Sequence, residues 1–228
     1  WAIEKRGEIE ILQKNEQFRK EFLMNLAHEL RTPIFTIQGY VHTLLDGAME
    51  NPGISKKFLN NAAKGIQRLV QLVDDLDQIS KLESGQISLI RENFIIHDLV
   101  KDLYEELTLK AKEKNISLQI KKGTEAPLTV FADKQKIKQV IVNLLENAIK
   151  YGNEGGSIIT GFYQMDENQV YIEISDNGPG IAEEHLPRIF ERFYRADRSR
   201  NSKIGGTGLG LAIVKHIVEA HGQNMNVR

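Results

Sequence analysis

The strongest constraint in this chain is a pair of apolar stripes with helical spacing, separated by a short turn. The first stripe runs Ala27, Leu30, Ile34, Ile37, Val41 and Leu44, in alternating steps of three and four. The second runs Leu59, Ala62, Ile66, Leu69, Val73 and Leu76 in the same rhythm. Such spacing puts each series on one side of an α-helix. Gly47, Asn51, Pro52 and Gly53 lie between them, and these residues favour turns. The pattern predicts a helical hairpin. Two helices alone leave both stripes half exposed, so the hairpin is expected to pair with a second copy as a four-helix bundle. Upstream, Ile9, Leu12 and Phe18 are apolar but residues 13–17 are polar. That predicts a helical lead-in with a weak coiled-coil seam.

From about Gly85 the pattern changes. Short strand-like runs occur at Asn93–Ile96, Ile116–Ile120, Leu128–Phe131, Ser157–Tyr163 and Val170–Ser175. Helical stretches fall at His97–Lys114 and Lys134–Tyr151, and two more flank a polar, glycine-bearing segment, Asp197–Gly206. Helices beside a mostly hairpin-connected sheet predict an α/β sandwich, so the whole chain reads as α+β with a boundary near Ser84–Gly85. With 41% hydrophobic residues, the 228-residue chain can bury a real core. A formal charge of -1 provides no long-range field for nucleic acid. The absence of cysteine excludes disulfides, zinc–thiolate sites and cysteine nucleophiles. No apolar run approaches the ~20 residues that would span a bilayer. Residues 1–17 are charged throughout and carry no secretory-signal pattern.

Four segments carry chemistry. In Phe22-Leu-Met-Asn-Leu-Ala-His28-Glu29-Leu30-Arg31-Thr32-Pro33, His28 sits one position past the stripe and points sideways or outward. A neutral, accessible imidazole is a nucleophile with a pKa of about 6.5. Glu29 adjoins it and can hold or accept a ring proton, Thr32 shares its helical face, and Pro33 is expected to kink or bulge the helix. Asn143, Asn147, Lys150 and Tyr151 share one face beside the apolar series Ile137, Ile141, Leu144 and Ala148. Amide oxygens suit Mg²⁺, lysine suits phosphate and tyrosine can cover a base. Asp176-Asn177-Gly178-Pro179-Gly180 follows an apolar strand, and Gly205-Gly206-Thr207-Gly208-Leu209-Gly210 opens a helix, where backbone N–H groups converge on phosphate. The glycine spacing is not that of a Rossmann fingerprint, and no glycine precedes a lysine as in a Walker loop. Between these segments, Arg188-Ile-Phe190-Glu-Arg192-Phe193-Tyr-Arg195 pairs aromatic anchors with arginines that can reach a terminal phosphate.

Together these segments resemble bacterial sensor histidine kinases. Residues 18–84 look like the dimerisation and histidine-phosphotransfer domain, preceded by a lead-in at 1–17. Residues 85–228 look like the catalytic ATP-binding domain of the superfamily of gyrase, heat-shock-90, histidine kinases and mismatch-repair proteins. Phe22–Pro33 matches the H box, Asn143–Tyr151 the N box, Asp176–Gly180 the first glycine box, Phe190–Arg195 the F box and Gly206–Gly210 the second glycine box. The resemblance makes His28 the phosphoacceptor and Glu29 its acid/base. It makes Asn147 the Mg²⁺ ligand with Asn143 assisting, puts Lys150 on phosphate and stacks Tyr151 near adenine. Asp176 would accept the adenine amino group. Gly178, Gly180, Gly206, Thr207, Gly208, Leu209 and Gly210 would shape the nucleotide loops. Arg195, and Arg192 beside it, would approach the γ-phosphate, and Asp197–Gly205 would form an ATP lid.

The implied reaction moves the γ-phosphoryl of ATP to His28 and then to an aspartate on the receiver domain of a response regulator. The implied partners are a second copy of the chain and that regulator. A reverse, phosphatase activity towards the regulator is expected to use Thr32. The resemblance also implies a cytoplasmic portion of a membrane-anchored sensor, with the membrane segments upstream, and a final strand beyond His221–Arg228. An ATPase clamp and a non-enzymatic dimeric scaffold are the competing readings. The H box argues against the first, as does Asn143 where such ATPases usually place a catalytic glutamate. A scaffold would not need intact nucleotide boxes.

Overall fold

The structure is a computed structural model that describes residues 2–83, 88–196 and 206–227. It divides into two compact units, Trp1–Gln78 and Ile79–Arg228. The expected boundary step, Ser84–Gly85, lies outside the described residues.

The first unit contains helix α1 (Ala2–Leu45), one 3₁₀ turn (Ala48–Glu50) and helix α2 (Pro52–Glu83) up to Gln78. The reversal follows from its residues. Gly47 takes φ 112°, a left-handed value that glycine adopts without a Cβ clash. The Asn51 side-chain oxygen accepts the N–H groups of Gly53 and Ile54 at 3.1 and 3.3 Å. Pro52 opens α2, where its missing N–H leaves no bond unmade. Helix α1 runs through Pro33 as one unbroken helix, so the expected bulge does not interrupt it. Pro33 is buried, and the hydroxyls of Thr32 and Thr36 add bonds to the carbonyls of His28 and Thr32 at 3.2 and 2.8 Å. Packing against α2 holds the turn: a methyl group at Gly65 would meet Ile37 Cγ1 at 2.7 Å, and the Tyr40 and Phe58 rings lie 5.4 Å apart.

Each apolar stripe splits into two rows with a period of seven. Leu30, Ile37 and Leu44 are buried or half-buried, as are Ala62, Leu69 and Leu76. Ala27, Ile34 and Val41 are exposed, as are Leu59, Ile66 and Val73. The outer rows have the spacing of a coiled-coil seam.

The second unit packs helices against a sheet. Strands β1 (Glu92–Ile95) and β3 (Thr129–Ala132) pair antiparallel, while β2 (Ser117–Ile120), β4 (Ser157–Gln164) and β5 (Val170–Asp176) form a three-stranded sheet in the order β2-β4-β5. Among the described residues only β4–β5 is a sequential hairpin, whereas β2 and β4 run parallel. The expectation of a mostly hairpin-connected sheet is therefore corrected. Helix α4 (Lys134–Tyr151) intervenes between β3 and β4, and a parallel pair needs such a crossover. Helix α3 (Ile96–Lys112) presents Ile96, Leu99, Val100, Leu103, Leu107 and Ala111 to a core shared with Ile141, Leu145, Ile149, Ile158 and Phe162. The last helix, α5 (Gly210–Ala220), buries Ala212, Ile213, Val214 and Ile217.

The first of the two expected late helices is a single 3₁₀ turn, Leu186–Arg188, followed by turns. Phe193 has φ 60° and gives its N–H to the Gly208 carbonyl at 2.9 Å, both incompatible with a continuing helix. The two helices that frame the site, α4 and α5, are tied at one end. Asp133 caps α4 by accepting the Lys136 N–H at 3.0 Å and also holds the Ile90 N–H at 3.0 Å. Burial pushes its carboxyl up, but these donors and the Lys136 charge outweigh that, and its pKa falls below the usual value. The Asp133 N–H donates to His221 Nε2 at 3.1 Å, while His221 Nδ1 donates to the Ile217 carbonyl at 2.8 Å.

Candidate functional site

His28 is exposed on α1, with Glu29 half-buried beside it and Thr32 exposed one turn later. Thr32 gives its proton to the His28 carbonyl, so its oxygen lone pairs remain acceptors. The other histidines are less suited to accept a phosphoryl group. His97 is 1% exposed, with Nε2 bonded to the Thr124 carbonyl at 2.7 Å and Nδ1 accepting the Leu128 N–H at 3.2 Å. His221 is buried with both nitrogens engaged. His185 Nδ1 lies 2.8 Å from the Tyr194 hydroxyl, and exposed His42 is followed by threonine rather than glutamate. Burial, the Arg192 charge and Lys215 hold the half-buried His216 below its ordinary pKa, against the opposing pull of Glu219.

In the second unit, two segments far apart in sequence, 176–180 and 206–210, converge on the C-terminal half of α4. Lys150 Nζ packs against Gly206, donates to the Tyr151 hydroxyl at 2.9 Å and lies 4.5 Å from that ring's centre. Asn143 Oδ1 faces Gly210, where a methyl group would sit 3.5 Å away. Gly178 lies against the α4 terminus: a methyl group there would meet Gly152 Cα at 3.4 Å and the Tyr151 carbonyl at 3.5 Å. Asp176 is exposed at the end of β5, and its Oδ1 accepts the Gly178 N–H at 2.8 Å. Asn147 is half-buried on the same face of α4 as Asn143 and Lys150.

Glycine is required where these segments meet. Gly208 takes φ 71°, and a methyl group on it would lie 2.8 Å from Phe193 Cα. Gly180 takes φ 73°. Thr207 Oγ1 accepts the Leu209 N–H at 3.3 Å, directly before α5, and Leu209 is fully buried. The N-terminus of α5 therefore faces the Asn143 side chain with its unpaired N–H groups, a favourable setting for phosphate. Arg195 is half-buried with its Nε enclosed. Arg192 is half-buried, which lowers its pKa, and lies close enough to His216 to depress that group. His216 is six residues along α5 from Gly210, about 9 Å of helix rise, so Arg192 lies by the flank of α5. The expected lid, Asp197–Gly205, lies outside the described residues.

Two family models match parts of the chain. Residues 18–85 match the His Kinase A (phospho-acceptor) domain, and residues 132–228 match the family of histidine kinase-, DNA gyrase B- and HSP90-like ATPases. The histidine kinase AdeS of Acinetobacter baumannii has a TM-score of 0.65 and 30% identity, covering 85% of this chain and 86% of that one. The chain belongs to the histidine kinase family. The sensor histidine kinase WalK of Bacillus subtilis is 38% identical over 211 residues, which is 92% of this chain and 34% of WalK. Histidine kinase ThkA, solved in complex with the response regulator protein TrrA, has a TM-score of 0.71 at 27% identity, covering 92% of this chain and 57% of that one. The chain spans between 34% and 50% of the length of the curated relatives it matches. Among the described residues, no helix is long and apolar enough to cross a membrane.

Several residues that hold the candidate residues of each unit were not singled out from sequence. Arg68 of α2 pairs with Glu29 Oε2 at 3.2 Å across the hairpin. Asn177 ties the β5 turn to the loop after α4, accepting the Ser157 N–H at 2.8 Å and receiving Asn153 Nδ2 at 3.1 Å on its carbonyl. His221 holds Asp133. Asn177 lay inside a motif and was legible as a turn residue. Arg68 and His221 belong to no local pattern.

Proposed function

We propose that this chain is a protein-histidine kinase that transfers the γ-phosphoryl of ATP to His28 and passes it to an aspartate of a response regulator. The observation that carries the reading is the convergence of Gly206 on Lys150, Gly210 on Asn143 and Gly178 on Tyr151 along the C-terminal half of one helix. That arrangement unites a phosphate-seeking cation, amide oxygens and a glycine-opened helix N-terminus. We assign the adenine contact to Asp176 and Tyr151, the loop positions to Gly178, Gly180 and Gly206–Gly210, and the γ-phosphate contacts to Arg195 and Arg192. Arg192 lies beside His216 on the flank of α5. The boundaries that go with this reading are a lead-in at 1–17, the phosphoacceptor domain at 18–84 and the ATP-binding domain at 85–228.

Magnesium fits the donor set. Asn147 and Asn143 offer hard amide oxygens, and Mg²⁺ typically takes few protein ligands and completes its shell with phosphate oxygens and water. When bound, the ion would neutralise charge on the phosphates. Lys150 and the N–H groups of α5 orient the phosphate chain. His28 presents a ring nitrogen outward, and Glu29 holds or removes the proton on the other nitrogen. Pairing of the exposed rows on α1 and α2 with a second copy makes the homodimer. Nucleic acid has no place in this scheme. The segment belongs on the cytoplasmic side of a membrane-anchored sensor, where ATP and the regulator are found.

The test uses γ-labelled ATP. The intact chain acquires acid-labile, alkali-stable label. His28→Gln abolishes that label while ATP binding persists, because the two sites lie in different units. Asn147→Asp sets a negative charge against phosphate and removes both binding and label. Release of free phosphate without protein label would mean an ATPase clamp, and neither product would mean a scaffold.

Phosphatase action on the regulator needs a water aligned on the aspartyl phosphate, and the exposed Thr32 oxygen can accept a hydrogen bond from it. Thr32→Ala is expected to retain labelling of His28 and transfer, and to lose most dephosphorylation of purified phospho-regulator. Equal release rates for wild type and variant would end this assignment.

A further inference from the structure

Glu29 does not stand alone beside His28. Its Oε2 meets Arg68 Nη2 at 3.2 Å, across 39 residues of sequence, with side chains only 19% and 33% exposed. The contact follows from the hairpin register. Gly65 lets α2 approach α1 at Ile37, and Arg68, one turn further along α2, reaches Glu29, one turn before Pro33 on α1. A planar guanidinium grips a carboxylate with defined orientation, where a lone glutamate beside an exposed histidine would sample many rotamers.

We propose that Arg68 is a positioning residue for proton transfer from His28: it holds Glu29 by Oε2 and so presents Oε1 to the imidazole. This rests on reading His28 as the phosphoacceptor and Glu29 as its acid/base. One ring nitrogen forms the N–P bond as the bond from phosphorus to the β–γ bridging oxygen breaks, and ADP leaves with that electron pair. The proton on the other ring nitrogen passes to Glu29 Oε1. Arg68 stays protonated throughout and is not consumed. A base oriented by a third group is the general form of an activated nucleophile, and here the third group arrives from the opposite helix. An ordinary interhelical ion pair makes a different prediction, because its loss would lower the melting temperature and leave kcat of the folded hairpin unchanged.

The experiment is a double-mutant cycle on the intact chain. It measures the rate of His28 labelling as a function of ATP concentration for wild type, Arg68→Gln, Glu29→Gln and the double variant, with Arg68→Lys as the conservative change. Glu29→Gln is expected to lower kcat by about 100-fold and Arg68→Gln by about tenfold, with KM for ATP unchanged. Arg68→Lys should recover part of the loss. In the Glu29→Gln background, Arg68→Gln should cost nothing further. An unchanged kcat in Arg68→Gln, or the same loss with and without Glu29, overturns the proposal. A wild-type rate in Glu29→Gln overturns the acid/base reading itself, and the proposal with it. Melting and sedimentation check folding. If Arg68→Gln does not fold, the cycle with Arg68→Lys applies the same criteria.

Discussion

In α3, Ile96, Leu99, Val100, Leu103, Leu107 and Ala111 are all buried, whereas in α2 alternate members of an equally regular stripe, Leu59, Ile66 and Val73, stay exposed. The difference lies in what each helix has to pack against. Helix α3 meets α4 and the sheet of its own unit, so its whole apolar face is covered. In the first unit each helix has one helical neighbour, which covers one row of seven-residue period and leaves the next row open. Burying a Leu, Ile or Val side chain is worth about 1.5–3 kcal/mol, so several open positions amount to a large unsatisfied driving force. The sandwich is a finished core within one chain, and the hairpin is half of one.

The most severe test of this contrast is Leu145→Ala, in a side chain with no exposure at the centre of the sandwich core. A loss of about 2–5 kcal/mol is expected, independent of protein concentration. Denaturant melts at two concentrations check it, and a concentration-dependent transition would show that the sandwich too relies on a second copy. The paired change Ile66→Glu and Val73→Glu should turn a dimer into a monomer in sedimentation, while the sandwich melts as before. A variant that remains dimeric would place the seam on another face.

The smallest effect concerns pH and belongs to the sandwich alone. His216 is held below its ordinary 6.5 by burial and by Arg192 and Lys215. Its unfolded form therefore takes up a proton first. Its contribution to stability is full above about pH 6.5 and is lost as pH falls through the depressed native value. His216→Gln should flatten the decline of melting temperature in that window. An unchanged slope would show that other groups set it.

The candidate site was legible to unequal degrees. The spacing of Asn143, Asn147, Lys150 and Tyr151 fixes their shared face, and a glycine cluster before an apolar helix announces an anion-seeking terminus, because both are local properties of a helix. The helical stretch expected before Asp197 is instead a 3₁₀ turn followed by turns, because the left-handed Phe193 backbone goes with a bond to Gly208, fifteen positions later.

The sequence alone determined the hairpin with its Gly47–Gly53 turn and the positions of the strands and most helices. These follow from periodicity and turn preference, which act over a few residues. Tertiary structure decided which half of each stripe is covered, that β2 runs parallel to β4, and that His97 and His221 are bonded through both ring nitrogens. It also decided that Arg68 reaches Glu29 and that Lys150 meets Gly206. Each of these depends on the distance between side chains that are far apart in the chain, and that distance exists only once the elements have packed.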